Sequence, residues 1–552
     1  MKKLHMAMTL AMLSLLVVVL SACRQEPEAR VFEGVDPELL AGGHQAELGW
    51  TGLDQNFAGQ LTLSFWGLGP GQFRADVGRT YYDPMEMTRH GSAVMAAGRI
   101  FNAHFPYITL NVQNWGATST AERTSFYHEH GFHVDAWMSN ALVTEIIGGH
   151  VADLTLFDDD PVLDLANPII MRMITHLDRL WAVPVLAIPF GTFVNRTLAE
   201  NQNLDTPPED WTMDEFINFV SNSRRDEFYG INSVPWSFMN TMTQDFHYQL
   251  LFRQPNEPFV RVNTPAMRAV HQMVPRIINH TLEFNRDAGH VAQSFMDQFS
   301  SSPWLMFAQG GLLAFYGQPW TMSYATLETS DSRVQVLDWD YFPRPSTDWV
   351  GNHVTTTMDI MPIRNFAMDD GDPSLSMEEY NNLRMAWEFL RFYTFDLRSW
   401  QARSDMIWGT DMNQSAKTES LPYTIGQLYY DMIDIHFQAP ERQVLADARQ
   451  FPGYHYILQL WEEGAIWGLW HNNFPFSMNW EGGSRSIIFE WNNRMNVTGV
   501  GVNASEPSWY DQFVAHLPFW EPTFNERWAE RYGEIEEALH RFYAPQRRPS
   551  QN

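Results

Sequence analysis

Residues 61–66 read Leu61-Thr62-Leu63-Ser64-Phe65-Trp66, a short β-type run closed by the turn-forming Gly67-Leu68-Gly69-Pro70-Gly71. A helical stretch is expected around Ala93–Ala103. Phe105-Pro106-Tyr107 follows, and then a second strand from Ile108 to Val112. Residues Asn140–Ile147 read as a helix ended by Gly148-Gly149. A third apolar run, Asp153-Leu154-Thr155-Leu156-Phe157, leads into Asp158-Asp159-Asp160-Pro161. Strand–helix–strand–helix–strand order implies a parallel, doubly wound α/β sheet. Ligands of such sheets sit at the carboxyl ends of the strands, which would put Trp66–Gly71 and Phe157–Asp160 on one rim.

Upstream of this sheet, Lys2 and Lys3 precede an apolar run from Met6 to Leu20 that reads as a signal-peptide core. It is too short and too one-sidedly flanked for a membrane span. The run ends in Leu20-Ser21-Ala22-Cys23, which resembles the lipobox of bacterial lipoproteins. That resemblance implies removal of residues 1–22 and lipidation of Cys23; the alternative is an ordinary signal peptide with a chance cysteine. Cleavage there would remove two lysines and no acid, moving the formal charge from −29 to −31. Cys23 is the sole cysteine, so the globule has none for disulfides, thiolate metal sites or a nucleophile. Residues 23–58, polar and weakly periodic, read as a flexible tether.

A length of 552 residues suggests two to four domains, and a 45% hydrophobic share is ample for large cores. The acidic balance disfavours nucleic acid, because phosphate neutralisation needs clustered cations. Lysine Schiff-base chemistry has one candidate in the mature chain, Lys417. Tryptophan is abundant at 22 residues, more than a core of this size usually needs.

Downstream, Thr212 and Glu215 form a capping-box pattern ahead of a helix expected over Met213–Asn222. Further helices are expected at Met242–Phe252, Pro265–Ile278 and Glu378–Tyr393. No internal repeat shows at a fixed period.

The order of these segments resembles the sugar-type extracellular solute-binding proteins of bacterial ABC importers, the maltodextrin-binding protein family. Leu61–Trp66 is similar to the opening strand, and Phe101…Phe105-Pro106…Ile108-Thr109-Leu110 to the helix-to-strand junction. Gly148-Gly149…Ala152-Asp153-Leu154 resembles the entry to the third strand. Trp181-Ala182-Val183-Pro184 followed by Val194-Asn195-Arg196 resembles the crossover between lobes. Pro207-Pro208…Trp211…Asp214-Glu215-Phe216 fits as well. So does Phe307-Ala308-Gln309-Gly310-Gly311-Leu312-Leu313-Ala314…Gly317-Gln318-Pro319-Trp320. The likeness is spread over about residues 59 to 545. Gly71–Arg89 looks like an insertion, and Leu397–Trp520 aligns only loosely.

The resemblance implies an α/β, two-lobed periplasmic-binding-protein-like fold with doubly wound sheets, a hinge and an interlobe cleft. Residues 59–187 plus 342–403 would form lobe 1, and 190–337 plus 405–545 lobe 2. Hinge strands are expected near Ala187–Phe190 and Leu337–Phe342. It also implies capture of a carbohydrate, an oligosaccharide on the aromatic load, for delivery to ABC permease subunits. The protein would be a monomer without enzyme activity or cofactor, lipid-anchored through Cys23 on the extracytoplasmic face of the cell membrane. A sugar needs flat aromatics against its C–H faces and polar groups for its hydroxyls. Trp66, Phe157, Asp158, Asp160, Trp236 and Trp320 stand where the family places ligand contacts. For each Trp, core packing is the competing reading, and for the Asp triplet a solvated helix cap before Pro161.

His128-Glu129-His130-Gly131-Phe132-His133 with Asp135 invites a metal reading but lacks the helical H-E-x-x-H spacing, and a polar loop is the favoured reading. Gly67–Gly71 follows a strand as a dinucleotide fingerprint would, yet its G-x-G-x-G spacing and internal Pro mark a turn. Two alternatives stay open: a secreted glycoside hydrolase, and a surface glycan-binding lipoprotein outside transport. Peptides remain an alternative ligand class.

Overall fold

The computed structural model describes residues 49–65, 73–76, 79–81, 89–114, 134–139, 142–224, 227–232, 257–259, 261, 276–287, 289–299, 302–317, 338–347, 351–368, 374–404, 421–438, 443–470, 522, 525–526 and 528–543. The first sheet has the strand order β3-β2-β4-β1-β5. It comprises β1 (Gly59–Phe65), β2 (Phe73–Asp76), β3 (Arg79–Tyr81), β4 (Ile108–Asn114) and β5 (Ala136–Trp137). β1 and β4 run parallel along their whole length, Gly59 opposite Ile108 and Phe65 opposite Asn114. Helix α1 (Arg89–His104) makes the crossover between them, burying Val94, Ala97 and Phe101.

Two expectations need correction here. The third parallel strand is β5, which meets β1 at Leu63–Ala136 and Ser64–Trp137; it is not the run at 153–157. Leu154–Phe157 forms a 3-10 turn, because the Asp153 carboxylate accepts the Thr155 N–H and the Asp160 carboxylate that of Val162. Aspartates that bond their own backbone two residues on favour turns over ladders, and a short apolar run does not by itself tell the two apart. The sheet is also mixed: β2 and β3, from the expected insertion, add to the β4 edge as an antiparallel hairpin.

Helix α2 (Leu142–Ile147) follows β5. A small hairpin comes next, β6 (Thr175–His176) and β7 (Arg179–Leu180), with Leu177 and Asp178 both at positive φ as a type I′ turn requires. Then comes β8 (Val183–Asn195), the longest strand of the chain's described part. The other strands of the second sheet are β9 (Tyr229–Ile231), β10 (Leu312–Gly317), β11 (Trp339–Phe342), β12 (Val354–Met361) and β13 (Ile466–Trp470), of which β10, β11 and β12 pair with β8. Before β9, helix α3 (Met213–Val220) begins at the expected capping box, Thr212 and Glu215 each bonding the other's backbone N–H. The expected helix at 242–252, and all but the last residues of that at 265–278, lie outside the described residues.

Helices α4 (Met377–Phe395) and α5 (Leu397–Ser404) cover the first sheet, Phe389 edge-on to Phe101 at 5.2 Å. The expected tether ends sooner than residue 58. From Gly49 the chain lies along α4, where Trp50 packs on Phe392 and His104, and Thr51 N–H donates to Glu388. An indole has enough apolar surface to hold its segment down. Residues 421–425 bond to Leu165, Asn167 and Ala187, and α6 (Gly426–Gln438) follows them.

The second body packs Phe193 against Tyr341 (4.4 Å) and Trp211 against Phe342 (5.1 Å), with helix α7 (Pro452–Glu462) on β11. Helix α7 begins at Phe451, whose side chain offers no cap. Asp340 of β11, fully buried, supplies it from another element, accepting from Gly453 N (2.9 Å) and Tyr454 N (3.2 Å). A Cβ at residue 453 would meet the Phe342 ring at 2.0 Å, so glycine is what lets the helix come this close. Burial pushes the Asp340 carboxyl up to about 6, against the opposing pull of those N–H donors and Arg196. Its folded pKa lies above the unfolded one, so its contribution to stability is fullest below about pH 4 and is lost as pH rises towards 6. Urea denaturation of wild type and D340N at pH 4.5 and 6.5 should show the wild type losing more over that interval. D340A should cost about 1–3 kcal/mol through two orphaned N–H groups.

Candidate functional site

The two sheets aim their strand ends at one place. Antiparallel bridges Ala136–Ile363 and Ser139–Ile360 set β5 running against β12, and β12 in turn runs against the first half of β8. The carboxyl ends of β1, β4 and β5 therefore point along β8 towards its second half. There β10 runs antiparallel to β8, Ala314 opposite Val194 and Gly317 opposite Gly191, so its carboxyl end points back. β9 lies parallel to β10 and ends on the same side. Strand ends from the two bodies thus face one another along β8, that of β5 level with Pro184 through Ser139 and Ile360 and that of β10 at Gly191, beside the point where β8 exchanges β12 for β10 and β11 as partners. The first expected hinge segment, Ala187–Phe190, ends at this changeover. The second, Leu337–Phe342, lies on the second-body side, and the return crossing falls between Phe342 and Thr355 instead.

The changeover is closely built. A Cβ on residue 191 would meet Phe342 O at 2.5 Å and the Tyr341 ring at 2.9 Å. The Tyr341 hydroxyl lies 3.0 Å from Pro189 O and 2.8 Å from Gly317 O, tying β11 to both crossing points. Phe190 stacks on Tyr316 at 5.7 Å, and the buried Arg344 guanidinium lies 3.9 Å over the Tyr316 ring. At the end of β9, Asn232 accepts the Tyr316 N–H and donates to Tyr316 O, holding the two carboxyl ends together. On the first body, Glu145 of α2 accepts from Trp137 Nε1 (2.9 Å) and Ser139 Oγ (2.6 Å), fixing the chain as it leaves β5.

Of the residues singled out in the sequence, Trp66, Trp236, Trp320, Cys23 and the His128–His133 cluster lie outside the described residues. Phe157 is 5% exposed, its ring stacked on Trp387 at 4.9 Å and 8°. Asp160 is buried, accepting from Val162 N and Trp387 Nε1 and pairing with Arg391 at 2.6 Å. Both side chains are thus engaged inside the first body, while Asp158 at the end of the 3-10 turn is exposed. The aromatic surplus divides likewise: Trp181, Trp211, Trp387, Trp400 and Trp461 are fully buried. Four of these indoles donate to backbone carbonyls, of His176, Pro343, Thr394 and Pro422 respectively.

Sequence reasoning passed over Tyr341 and Asp359. Tyr341 looks like one more strand aromatic. Asp359, inside the apolar run Met358–Met361, was the legible signal, since a lone acid in a buried strand is costly. Burial pushes its carboxyl up to about 7.

No family model matches the chain, and no curated protein matches it. Solved structures do. A sugar transporter protein from Rhizobium etli, in an open conformation, superposes with a TM-score of 0.50 at 10% identity over 87% of this chain and 99% of that one. CpMnBP1 with mannotriose bound gives 0.50 at 11% identity over 83% and 99%. The chain has the two-lobed periplasmic-binding-protein fold. At such identity the likeness is one of fold, and in that fold β8 and the β11–β12 return are the crossings between lobes.

Replacing Arg391 by Met would take the neighbouring cation from two buried carboxylates, Asp160 and Glu388, beneath the first-lobe rim. The expected loss is about 3–5 kcal/mol by urea denaturation, whereas D158N on the exposed neighbour should change stability by less than about 0.5 kcal/mol.

Proposed function

We propose that the protein captures a carbohydrate between its two lobes and delivers it to an ABC permease. The observation that carries this reading is that strand ends from both sheets face one another along Pro184–Gly191 of β8. It makes one crevice where parallel-sheet proteins bind ligands. The carbohydrate class is supported by the sugar transporter from Rhizobium etli and the mannotriose-bound protein of the same fold. In the sequence Trp66 follows directly on β1, Trp320 comes three residues after β10, and Trp236 five after β9, which is why they are retained as candidates. These three and Asp158 are the proposed ligand contacts, with Phe157 and Asp160 holding the first rim from within. Residues 59–187 with 342–403 and 190–337 with 405–545 are the proposed lobes, residues 421–425 of the latter reaching back onto the first. The ligand is an oligosaccharide in this reading, and the protein acts as a monomer without turnover or cofactor. A glycosidase would set two carboxyls about 5–9.5 Å apart. The raised pKa of Asp359 arises from burial with no neighbouring carboxylate contributing.

No helix among the described residues is long and apolar enough to cross a membrane. Anchoring on the extracytoplasmic face through a lipid on Cys23 is the matching proposal. C23S should move the protein from the membrane fraction to the soluble one; retention in the membrane would contradict the anchor.

Thermal melts with a panel of di- and trisaccharides should raise Tm for at least one, by about 2.7 kcal/mol of stabilisation at a hundred times its Kd. W66A and W320A should each weaken binding roughly tenfold. Release of shorter sugars, followed by chromatography, would replace the binder with a hydrolase.

A further inference from the structure

Asp359 occupies an unusual position. It lies in β12, a strand paired on one side with β13 and on the other with β8, and its neighbours Met358 and Ile360 are fully buried. Asp359 itself retains a partly exposed surface. The register slips beside it: Asp359 faces Leu186 while Ile360 faces Pro184, so β8 carries an extra residue, Val185, as a bulge opposite this position. Bulges re-aim side chains and occur next to functional sites. The position belongs to the first-lobe crossing strand, one residue from the Ser139–Ile360 bridge where the chain leaves β5. No described residue is hydrogen-bonded or ion-paired to its carboxylate. An acid in a mid-sheet position without donors is destabilising unless something else supplies them.

We propose that Asp359 is a ligand contact on the cleft floor, its carboxylate accepting hydrogen bonds from hydroxyl groups of the bound sugar. This rests on the carbohydrate-binding reading above and adds a residue and a proton linkage to it. Hydroxyl donors stabilise the ionised carboxylate. A carboxyl that rests at about 7 in the free protein therefore releases its proton when ligand binds. The described elements packed on β12 supply no competing charge at short range. β13 and the paired part of β8 have no titratable side chain. Asp135, before β5, is taken by Thr62 N and Arg364, and Glu145 by Trp137 and Ser139. Helix α7 brings Tyr454, His455, Tyr456 and Glu462, of which His455 bonds the Leu445 carbonyl and Glu462 the Tyr430 hydroxyl. Arg344 and His353 flank the start of the strand, the former over Tyr316.

The experiment is calorimetric titration of the intact protein with maltose, mannobiose and mannotriose at pH 5.5 and 8.0, in two buffers of different ionisation heat. Affinity should be roughly thirtyfold weaker at pH 5.5, with close to one proton released per ligand there. D359N should bind about 10- to 100-fold more weakly at pH 8.0 and lose the pH dependence. A wild type that binds one of these sugars with flat affinity and no proton release overturns the assignment while leaving the carbohydrate reading intact. Tighter binding at pH 5.5 overturns it too, since the acid would then be the donor. These wild-type readouts decide the matter even if D359N fails to fold. Binding of none of the three by the wild type overturns the assignment together with the sugar class behind it.

Discussion

Every backbone N–H and C=O in a buried strand needs a partner, and β8 is where that requirement joins the two lobes. Its first half bonds to β12 and its second half to β10 and β11. The second sheet is built around it, and the five-stranded first sheet reaches it through the bridges of β5 to β12. Because partners change at Phe190–Gly191, one strand runs through both bodies while each half of it is paired separately. That arrangement also places the carboxyl ends of both sheets opposite one another, so the crevice follows from strand pairing itself. Tyr341, bonded to Pro189 and Gly317 at once, and Gly191, pressed against Phe342 O, keep the crossing thin enough for this to hold.

Charge is handled in two ways around this frame. In the first lobe, Asp160, Arg391 and Glu388 meet beneath the rim, and the N-terminal segment closes the group with donors from Thr51. In the second, Asp340 caps a helix that has no cap of its own. Burial raises the carboxyls of Asp340, Asp359 and Glu388 alike, so each prefers its proton more in the folded chain than in the unfolded. Where N–H donors or an arginine oppose that preference, the acid serves the architecture. Among the described residues nothing opposes it at Asp359, and that difference separates it from the other two.

The tryptophans illustrate how composition misleads. Their number suggests stacking surfaces for a sugar, yet Trp181, Trp211, Trp387, Trp400 and Trp461 are sealed in the core. An indole buries much area but must satisfy its N–H, and here carbonyls at helix ends and turns, or Asp160, do so. Counting aromatics cannot separate such residues from those at a rim.

The sequence by itself determined the local elements. Apolar runs and caps were legible for β1, β4, α3 and α4 because neighbours within four residues decide them. The order of motifs was enough to indicate a two-lobed fold. The identity of the third strand was not legible, because two residues, Ala136 and Trp137, show no periodicity, whereas the apolar run at 154–157 does. Nor was the burial of Phe157 and Asp160, which depends on Trp387 and Arg391 more than two hundred residues away. Only the tertiary structure decided where strand ends face one another and which buried acids have partners among the described residues. Those are properties of pairings between distant segments, and hydrophobic periodicity records a residue's burial without naming what buries it.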